Sequence, residues 1–511
     1  MFSKKIKTFI LFIFISVNIL QASVSQEQDE AYKIISVSYI SQNGNSKDFA
    51  LERELKPDTE KIFNSKEELD FYILSLKQKL ENLRLFSNIN IDCEELSSPE
   101  ENQVTFVDLK IYFYETKHIL LLPKPGYNSN SGAELKLKLK DTNFLGLLEP
   151  LNSDINIKLG TEEEPDNFSK VTLGFNLDYD APFNLFFTEN TWSNDFSFSW
   201  QICEDKPEFS YETGLLTEIP LSRNFNLDFS FLQGIARDTD YEEFGDEFYF
   251  TENFKTLLPI NLCYINNIAP LTYTPSLEFL SYWDTDKINL EDEDLSYSLL
   301  SFANSLETDL TQWKGNSREG FYALINESFG WNFLQNNAVL SASALVQYFL
   351  SIKRISPSFQ VYAFYKINQK TNIGSFLRGT LDNQIYTSSS DCALKTTSAL
   401  IFNIDVPVSV LKLKFKNSKL SIFNFELKIS PFMDIALTKN LYTSTLFSLK
   451  DGFYDAGFEI LVFPEKWKSF VLRLSVGFDL SRLLLGSYVN TNWRNSNVKA
   501  YEISFGLGLN Y

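Results

Sequence analysis

Apolar and polar residues alternate in short segments from about residue 129 to the last residue. In Phe196–Ile202 (FSFSWQI) every aromatic residue falls on one face and every polar residue on the other. The same alternation occurs in Phe225–Phe231 and in Val471–Leu480. A period of two residues is typical of a β-strand with one apolar and one polar face. We count about seventeen such candidate strands between Ser129 and Tyr511.

A membrane barrel and a soluble sandwich both show this alternation. The number of segments, their length and their aromatic residues favour the barrel, because a tilted strand of about 10 residues spans a bilayer and aromatic residues gather at its interfaces. A polar face lining a lumen explains a mean hydropathy of −0.15 beside 47 Phe, 24 Tyr and 7 Trp. The sequence therefore predicts a mainly β fold, a transmembrane antiparallel β-barrel over residues 119–511. A secreted soluble β-protein is the alternative.

Residues 1–25 are expected to be a signal peptide. A basic start at Lys4, Lys5 and Lys7 precedes an apolar core over Thr8–Leu20, which is short for a transmembrane helix. Small residues follow, so we expect cleavage between residues 22 and 25; an uncleaved anchor is the alternative. No later stretch reaches 18 apolar residues. The mature chain is therefore expected either to be exported and soluble or to span a membrane as a β-barrel.

Residues 26–118 are predicted to form a separate small α/β domain. Ser65-Lys-Glu-Glu68 is a capping-box pattern, and leucines at helical spacing follow it up to Leu83. The predicted order is β-α-α-β-β, with strands at Tyr32–Ile40, Ser87–Cys93 and Val104–Tyr114 and a first helix at Asp48–Leu55. A partner-docking module of an export system fits this order, and so does any small α/β domain that shares it.

Charge and residue counts exclude several classes of function. A net charge of −20 makes the chain a poor binder of nucleic acid. A single histidine, His118, argues against a Ser-His-Asp triad and against a centre with several imidazole ligands. The four cysteines have no zinc or redox spacing, so isolated thiols or one incidental disulfide are expected. Acidic runs such as Glu162–Glu164 and Glu291–Asp294 indicate solvated loops. We expect no enzyme activity, no catalytic residue, no metal and no cofactor.

Three motifs occur in order along the barrel region. They are Asp141-Thr-Asn-Phe-Leu-Gly146 after an early strand, Phe376-Leu-Arg-Gly-Thr380 before the last five strand candidates, and Phe432-Met-Asp-Ile-Ala436 in the second of those strands. They resemble the D-x-N-x-x-G, V-R-G-F/Y and F-x-D-x-G stretches of the BamA/TamA-like superfamily of outer-membrane assembly and translocation barrels. Gly44 and Leu83-Arg-Leu-Phe86 look like parts of one POTRA domain.

The resemblance covers essentially all of the mature chain. It implies one POTRA-like periplasmic domain at residues 26–118, followed by a barrel of sixteen strands at residues 119–511. Thr380 stands where the family has an aromatic residue, and Ala436 stands where it has glycine. These departures, and the single POTRA-like domain, bear on which subfamily the chain resembles rather than on its resemblance to the superfamily.

A loop that folds into a polar lumen needs an anchor, and Arg378 is the candidate. A guanidinium offers five donors in a planar fork that suits a carboxylate. We therefore expect Arg378 to pair with Asp434, which follows Phe432 in the family-like motif. Gly379 lets the backbone approach the wall closely. A rim arginine exposed to solvent is the alternative.

The last strand carries the other candidate site. Ser504, Gly506, Leu509 and Tyr511 match the polar-x-Gly-x-x-hydrophobic-x-aromatic spacing of the β-signal on terminal strands of outer-membrane barrels. An unpaired terminal strand is a template for edge pairing. Barrel closure is predicted to pair this strand with the first one, in a seam whose residues there are Leu135, Leu137 and Leu139.

Assembly or insertion of other outer-membrane proteins through this seam is the function that the resemblance implies, without a cofactor. The expected partners are unfolded outer-membrane proteins or other protein substrates, outer-membrane lipid, and periplasmic chaperones or accessory subunits at the POTRA-like domain. The expected location is the outer membrane, with the POTRA-like domain in the periplasm. A two-partner-type secretion channel, a porin-like transport pore and a purely structural surface barrel remain as alternatives.

Overall fold

The computed structural model describes residues 31–96, 104–128, 132–160, 169–202, 206–222, 224–237, 248–265, 269–283, 298–380, 393–416, 419–494 and 499–509. The predicted signal peptide lies outside these residues. The chain divides into two compact units. The smaller comprises Met1–Ser38, Pro57–Leu74 and Ile91–Ile111, and the larger comprises Tyr39–Lys56, Ser75–Asn90 and Tyr112–Tyr511.

The N-terminal region contains four strands and two helices. In chain order they are β1 (Ala31–Ser41), α1 (Asp48–Leu55), β2 (Ile62–Phe63), α2 (Lys66–Leu83), β3 (Phe86–Glu95) and β4 (Val104–Glu115). The four strands form one sheet in the order β2-β1-β4-β3. The small α/β domain predicted from the sequence is therefore present. The two-residue strand β2 is an addition to the predicted order, since so short a strand carries no alternation.

The long helix of this region starts where the sequence predicts. Ser65 accepts a hydrogen bond at its Oγ from the Glu68 backbone N–H at 3.2 Å. Glu68 in turn accepts one from the Asn64 backbone N–H at 2.9 Å. Two N–H groups that the first helical turn leaves without helical partners are thereby satisfied.

The remaining strands form a closed antiparallel barrel. They are β5 (Ile119–Asn128), β6 (Gly132–Asp141), β7 (Leu151–Leu159), β8 (Val171–Leu185), β9 (Thr188–Gln201), β10 (Glu208–Ser222), β11 (Phe225–Arg237), β12 (Tyr249–Leu257), β13 (Ile260–Ile265), β14 (Ala269–Trp283), β15 (Ser298–Asp309), β16 (Gln312–Lys314), β17 (Ser317–Asn332), β18 (Asn337–Phe349), β19 (Ser358–Ile367), β22 (Ser398–Asp405), β23 (Val408–Leu413), β24 (Phe425–Thr438), β25 (Phe453–Pro464), β26 (Leu472–Asp479) and β27 (Tyr501–Leu507). A separate hairpin joins β20 (Thr371–Asn372) to β21 (Lys395–Thr396), and α3 (Leu480–Leu483) follows β26.

The barrel contains 21 strand segments in the described residues, and three pairs of them continue one another across a two-residue break. The breaks fall at residues 258–259, 310–311 and 406–407, and Pro259 and Pro407 explain two of them because proline cannot donate to the ladder. Counted as continuous strands, these segments make eighteen passes through the wall in the part of the chain that the structure describes. The seventeen candidates counted from the sequence lack β5, and the sixteen strands that the resemblance implies are two fewer than the structure has in its described residues.

Buried inward and exposed outward side chains alternate along β24. On β24 the inward residues Glu426, Lys428 and Asp434 are buried, whereas Ile429 and Met433 between them are exposed. A soluble monomer rarely exposes a continuous apolar patch larger than a few hundred Å². The exposed residues here recur around the wall and suit a lipid contact. None of the helices in the described part of the chain is long and apolar enough to cross a membrane.

A closed barrel with a lipid-facing belt should behave as an integral membrane protein. We expect the mature chain to be extracted only by detergent, because the exposed apolar belt needs a substitute for lipid. We also expect it to migrate faster on a gel when unheated than when boiled, since a closed ladder resists detergent. Recovery of residues 26–511 as a soluble monomer without detergent would contradict the membrane assignment.

Candidate functional site

The connection between β19 and β21 turns back into the barrel and carries Arg378. A single 3₁₀ turn, Gly374–Phe376, redirects the chain, and Phe376 stacks on Tyr362 with ring centroids 5.1 Å apart. Apolar residues of this connection join residues of the wall in one buried cluster: Phe364, Ile373, Leu377, Ala393, Leu394, Ala399, Ile401, Ala436, Phe453 and Trp493. Ile373 and Leu377 of this cluster anchor the backbone that leads into Arg378.

Arg378 and Asp434, the pair expected from the sequence, lie together and buried. Arg378 donates from Nε to Asp434 Oδ2 at 2.9 Å and from Nη2 to Asp434 Oδ1 at 2.6 Å. The Arg378 backbone N–H adds a third bond, at 3.2 Å, to the same carboxylate. Asn403 supports the pair from β22, since its side-chain amide donates to Asp434 Oδ1 at 2.8 Å and to the Phe376 carbonyl at 2.8 Å. The geometry is the bidentate one that charge-assisted pairs favour.

Two further carboxylates share the same guanidinium, and sequence reasoning missed both. Arg378 Nη1 lies 2.6 Å from Asp405 Oδ1 and 3.3 Å from Glu459 Oε1. Both residues occupy inward positions of β22 and β25, the strands on either side of β24. A search for acidic residues at inward positions of the strands flanking the Asp434 strand would have found them. One arginine therefore holds three strands together inside the barrel.

Aromatic and glycine residues complete the surroundings of the guanidinium. The Phe432 ring lies 3.8 Å from the guanidinium carbon, within the range of a cation–π contact. Gly457 faces Phe432 across the ladder, and a Cβ there would approach the Phe432 ring to 2.7 Å and the Val476 carbonyl to 2.0 Å. Glycine at position 457 thus keeps room for both the ring and the neighbouring strand.

Gly379 lies against the wall as the sequence analysis expects. A Cβ at Gly379 would lie 2.5 Å from the backbone of Phe478 on β26. A Cβ at Gly477 would lie 1.5 Å from the Arg378 carbonyl oxygen, so two glycines make this contact possible. Asp455 fixes the backbone here: it accepts from the Gly379 N–H at 2.9 Å and from Thr380 Oγ1 at 2.9 Å.

The two departures from the family motifs have local roles. Thr380, in place of an aromatic residue, supplies the hydroxyl that binds Asp455. Ala436, in place of glycine, is fully buried in the apolar cluster, where its methyl group contributes packing. Both substitutions are therefore accommodated in this chain.

A second buried arginine was not anticipated. Arg494, in the polar link 481–499, lies 3.3 Å from Asp479 Oδ2 and donates from Nη2 to the Gly452 carbonyl at 2.8 Å. Its guanidinium carbon lies 4.2 Å from the Phe453 ring, and Phe453 packs edge-on against Trp493. The segment after α3 therefore packs through Trp493 on the same apolar cluster as the Arg378 connection. Within the described residues, no group of three or more His, Cys, Asp or Glu side chains is arranged to hold a metal ion.

Barrel closure places β27 beside β5, and this corrects the predicted seam. Leu135, Leu137 and Leu139 lie on β6, one strand further, opposite Pro125, Pro123 and Leu121. Pro123 and Pro125 interrupt the alternation of β5, and proline within a strand usually argues against the strand, so β5 is not predicted from the sequence. We use the word seam for the junction of β27 with β5.

The register of β5 shows which of its backbone groups face the seam. Thr142 donates from its backbone N–H to the His118 carbonyl at 2.9 Å, so His118 directs its backbone groups toward the β6 side. Successive residues of a strand point to opposite neighbours, and the β5–β6 register runs without a shift. The residues that direct their backbone groups toward β27 are therefore Ile119, Leu121, Pro123, Pro125 and Tyr127.

Two of those five residues cannot donate a hydrogen bond, because the nitrogens of Pro123 and Pro125 carry no hydrogen. Prolines are tolerated in a strand where the missing donors face an edge rather than a ladder. The seam edge of β5 is thus poor in donors, while its other edge pairs with β6 along the whole strand. The β5 edge of the seam therefore offers two fewer N–H donors than a strand without proline would offer there.

The β-signal residues lie on or beside β27. Ser504 faces Ser475, and Gly506 faces Arg473 on β26. Leu509 packs on Leu461, Phe463 and Val471 beyond the end of the strand. Tyr511 lies outside the described residues. Their role as a signal stays a prediction.

The D-x-N-x-x-G stretch forms the turn after β6. Asp141 binds His118 through Nδ1 at 2.5 Å, and Asn143 donates to Ser46 Oγ at 2.9 Å. Gly146 accepts from the Lys47 N–H at 2.8 Å and has φ +78°, where a side chain would be strained. The motif therefore binds the segment that precedes α1, within the larger compact unit.

Comparisons with known proteins agree with this architecture. No family model matches the chain, and no curated protein matches its sequence significantly. Among solved structures, CdiB from Escherichia coli has a TM-score of 0.51 at 12% identity, covering 93% of this chain and 76% of that one. CdiB from Acinetobacter baumannii has a TM-score of 0.46 at 12% identity, with coverages of 94% and 74%. BamA from Haemophilus ducreyi lacking POTRA domains 1–3 has a TM-score of 0.36 at 12% identity, with coverages of 93% and 85%. The fold of this chain, a closed antiparallel β-barrel preceded by a small α/β region, is therefore similar to that of CdiB from Escherichia coli.

Proposed function

We propose that this protein resides in the outer membrane and inserts other β-barrel proteins by opening the seam between β27 and β5. Its α/β domain lies in the periplasm in this proposal and receives unfolded outer-membrane proteins, chaperones or accessory subunits. The reaction is an exchange of backbone hydrogen bonds, so it needs no nucleotide and no cofactor. A strand of the substrate pairs with a free edge, as in other cases of strand addition.

The observation that carries the proposal is the donor-poor edge of β5. An insertion machine needs a pair of strands that separates at low cost, because the incoming strand must find free N–H and C=O groups. Pro123 and Pro125 remove two N–H donors from the side of β5 that faces β27. Each backbone hydrogen bond contributes about 0.5–1.5 kcal/mol net. A passive pore has no use for such a weak seam.

Secretion of one polypeptide through the lumen is the second candidate. The observation that favours it is the likeness in fold to CdiB, which covers 93% of this chain. The carboxylates that pair with Arg378 lie on β22, β24 and β25, which form one side of the wall, so these ion pairs are compatible with secretion through the lumen.

Depletion of the protein in its native cell distinguishes the two candidates. Insertion predicts that unrelated barrels disappear from the outer membrane, measured by quantitative proteomics of that membrane. Secretion predicts loss of a single exported polypeptide with normal levels of other barrels. Restoring the wild-type chain provides the control. Normal barrels together with a normal set of exported proteins would contradict both candidates.

A further inference from the structure

A cleft of about 680 Å³ lies in the larger compact unit, beside four connections between barrel strands. These connections join β16 to β17, β18 to β19, β23 to β24 and β25 to β26, and the segment Glu81–Ile89 completes the lining. Eight cationic residues line the cleft, namely Arg84, Lys314, Lys353, Arg354, Lys412, Lys414, Lys428 and Lys468. Three acidic residues line it, namely Glu81, Glu426 and Glu465. This excess of positive charge stands out in a chain of net charge −20.

Two of the cations are buried and have only neutral partners. Arg84 donates to the Lys468 carbonyl at 2.5 Å, and its guanidinium lies 3.9 Å from the Trp313 ring. Lys428 donates to the Asn316 carbonyl at 2.5 Å and to Ser317 Oγ at 2.8 Å. Within the described residues, neither side chain has a carboxylate oxygen within 4.0 Å. Burying a cation without a counter-charge is costly, so an anion in the cleft would be stabilised.

The acidic residues of the lining offset only part of this charge. Glu426 pairs with Lys412 at 3.3 Å, and Glu465 pairs with Lys414 at 3.5 Å. Burial and the nearby charge of Arg318 lower the pKa of Arg84 to about 10. Burial, followed by the charge of Arg84, also lowers the pKa of Lys468. Both shifts have the direction that burial and neighbouring cations produce, and Glu81 and Glu465 oppose the shift of Lys468 only in part.

The cleft also adjoins the base of the seam. Lys468, in its lining, follows Trp467, whose Nε1 donates to the Ile119 carbonyl at the first residue of β5. Lys117, just before β5, donates from its backbone to the Lys466 carbonyl at 2.9 Å. A chain segment held in the cleft would therefore lie within a few residues of the edge to which a substrate strand would pair.

We propose that the cleft binds an acidic segment of the polypeptide substrate and holds it beside the base of the seam. The proposal rests on the proposed function, in that it takes the substrate to be a polypeptide. A polypeptide is favoured over a lipid because the cations come from five separate chain segments, which suits several carboxylates along a strand. The guanidinium groups of Arg84 and Arg354 are well shaped for carboxylates.

Binding of labelled octaglutamate to the full-length protein in detergent, measured by fluorescence anisotropy, tests the proposal. Octaglutamine is the neutral control peptide. The double variant Lys353→Gln/Arg354→Gln removes two exposed cations of the cleft, and we expect it to weaken octaglutamate binding about tenfold. The matched control Lys416→Gln/Lys466→Gln removes two exposed lysines that do not line the cleft and should change binding less than about twofold. Heat-dependent gel migration reports that each variant is folded.

Three results would overturn the proposal. They are equal binding of octaglutamate and octaglutamine, equal losses in the two double variants, and binding of short-chain phosphatidylglycerol by a protein that fails to bind octaglutamate. The last would assign the cleft to a lipid headgroup. The assay needs no cellular activity, so its failure is separate from failure of the proposed function. If the protein binds octaglutamate but its depletion leaves other barrels unchanged, the insertion function is contradicted and the proposed anion-binding cleft is supported.

Discussion

Replacing Arg378 by alanine is expected to abolish function while the barrel still closes. The substitution leaves Asp405, Asp434 and Glu459 facing one another without the cation that holds them. Removing one partner of a buried ion pair costs about 3–5 kcal/mol, because the remaining charge stays desolvated. The connection that carries Arg378 should then leave the wall. We expect loss of complementation in depleted cells and a lower urea midpoint for the purified barrel.

Double variants separate a shared anchor from independent effects. Asp434→Ala should also impair function, and Arg378→Ala/Asp434→Ala should be no worse than the worse single variant, because both remove one interaction. Arg378→Lys should be intermediate at best, since an ammonium cannot bind Asp434 with two donors and Asp405 at once. The control is Lys439→Ala, an exposed cation outside the cluster, with an expected change within about 0.5 kcal/mol. Mild and strictly additive effects of Arg378→Ala and Asp434→Ala would contradict the anchor.

A disulfide across the seam is expected to abolish insertion reversibly. Leu121→Cys is combined in turn with Ile503→Cys and Phe505→Cys, in a background with the four native cysteines replaced. The oxidised pair that cross-links fixes β27 to β5 and prevents an incoming strand from reaching either edge. We expect other barrels to be lost from the outer membrane on oxidation and to return on reduction. A locked protein that still supports normal barrels would exclude the seam mechanism and favour a pore.

Tightening the seam without a cross-link provides a graded version of this experiment. Pro123→Val/Pro125→Val restores two N–H donors on the edge of β5 that faces β27, which could add about 1–3 kcal/mol of pairing. Valine also suits a strand better than proline does. We expect slower insertion in the double variant and a higher temperature for the loss of fast gel migration. The control is Leu135→Val/Leu137→Val on β6, which changes apolar residues beside the seam and adds no donor. Faster insertion by the proline variant would contradict the proposed role of the seam.

The local alternation of apolar and polar residues was enough to predict most strands of the barrel wall. Alternation with a period of two predicts both that a segment is a strand and which side chains share a face, and this information lies within each segment. The capping box at Ser65 likewise predicted the start of α2, because a helix N-terminus is satisfied by residues three apart. The pairing of Arg378 with Asp434 came from a family-like pattern together with the shape of a guanidinium, and the structure places the two residues in contact.

The contacts between distant strands depend on closure of the barrel and could not be predicted from the sequence. Asp405 and Glu459 reach Arg378 because register and closure bring β22 and β25 to either side of β24, and no local pattern encodes that distance. The two prolines of β5 disrupt its strand pattern, so the sequence alone does not predict it, and only barrel closure shows that their missing donors face β27. The cation cleft gathers five segments spread over more than three hundred residues. Sequence determines the faces of the strands, whereas the tertiary structure determines which faces meet.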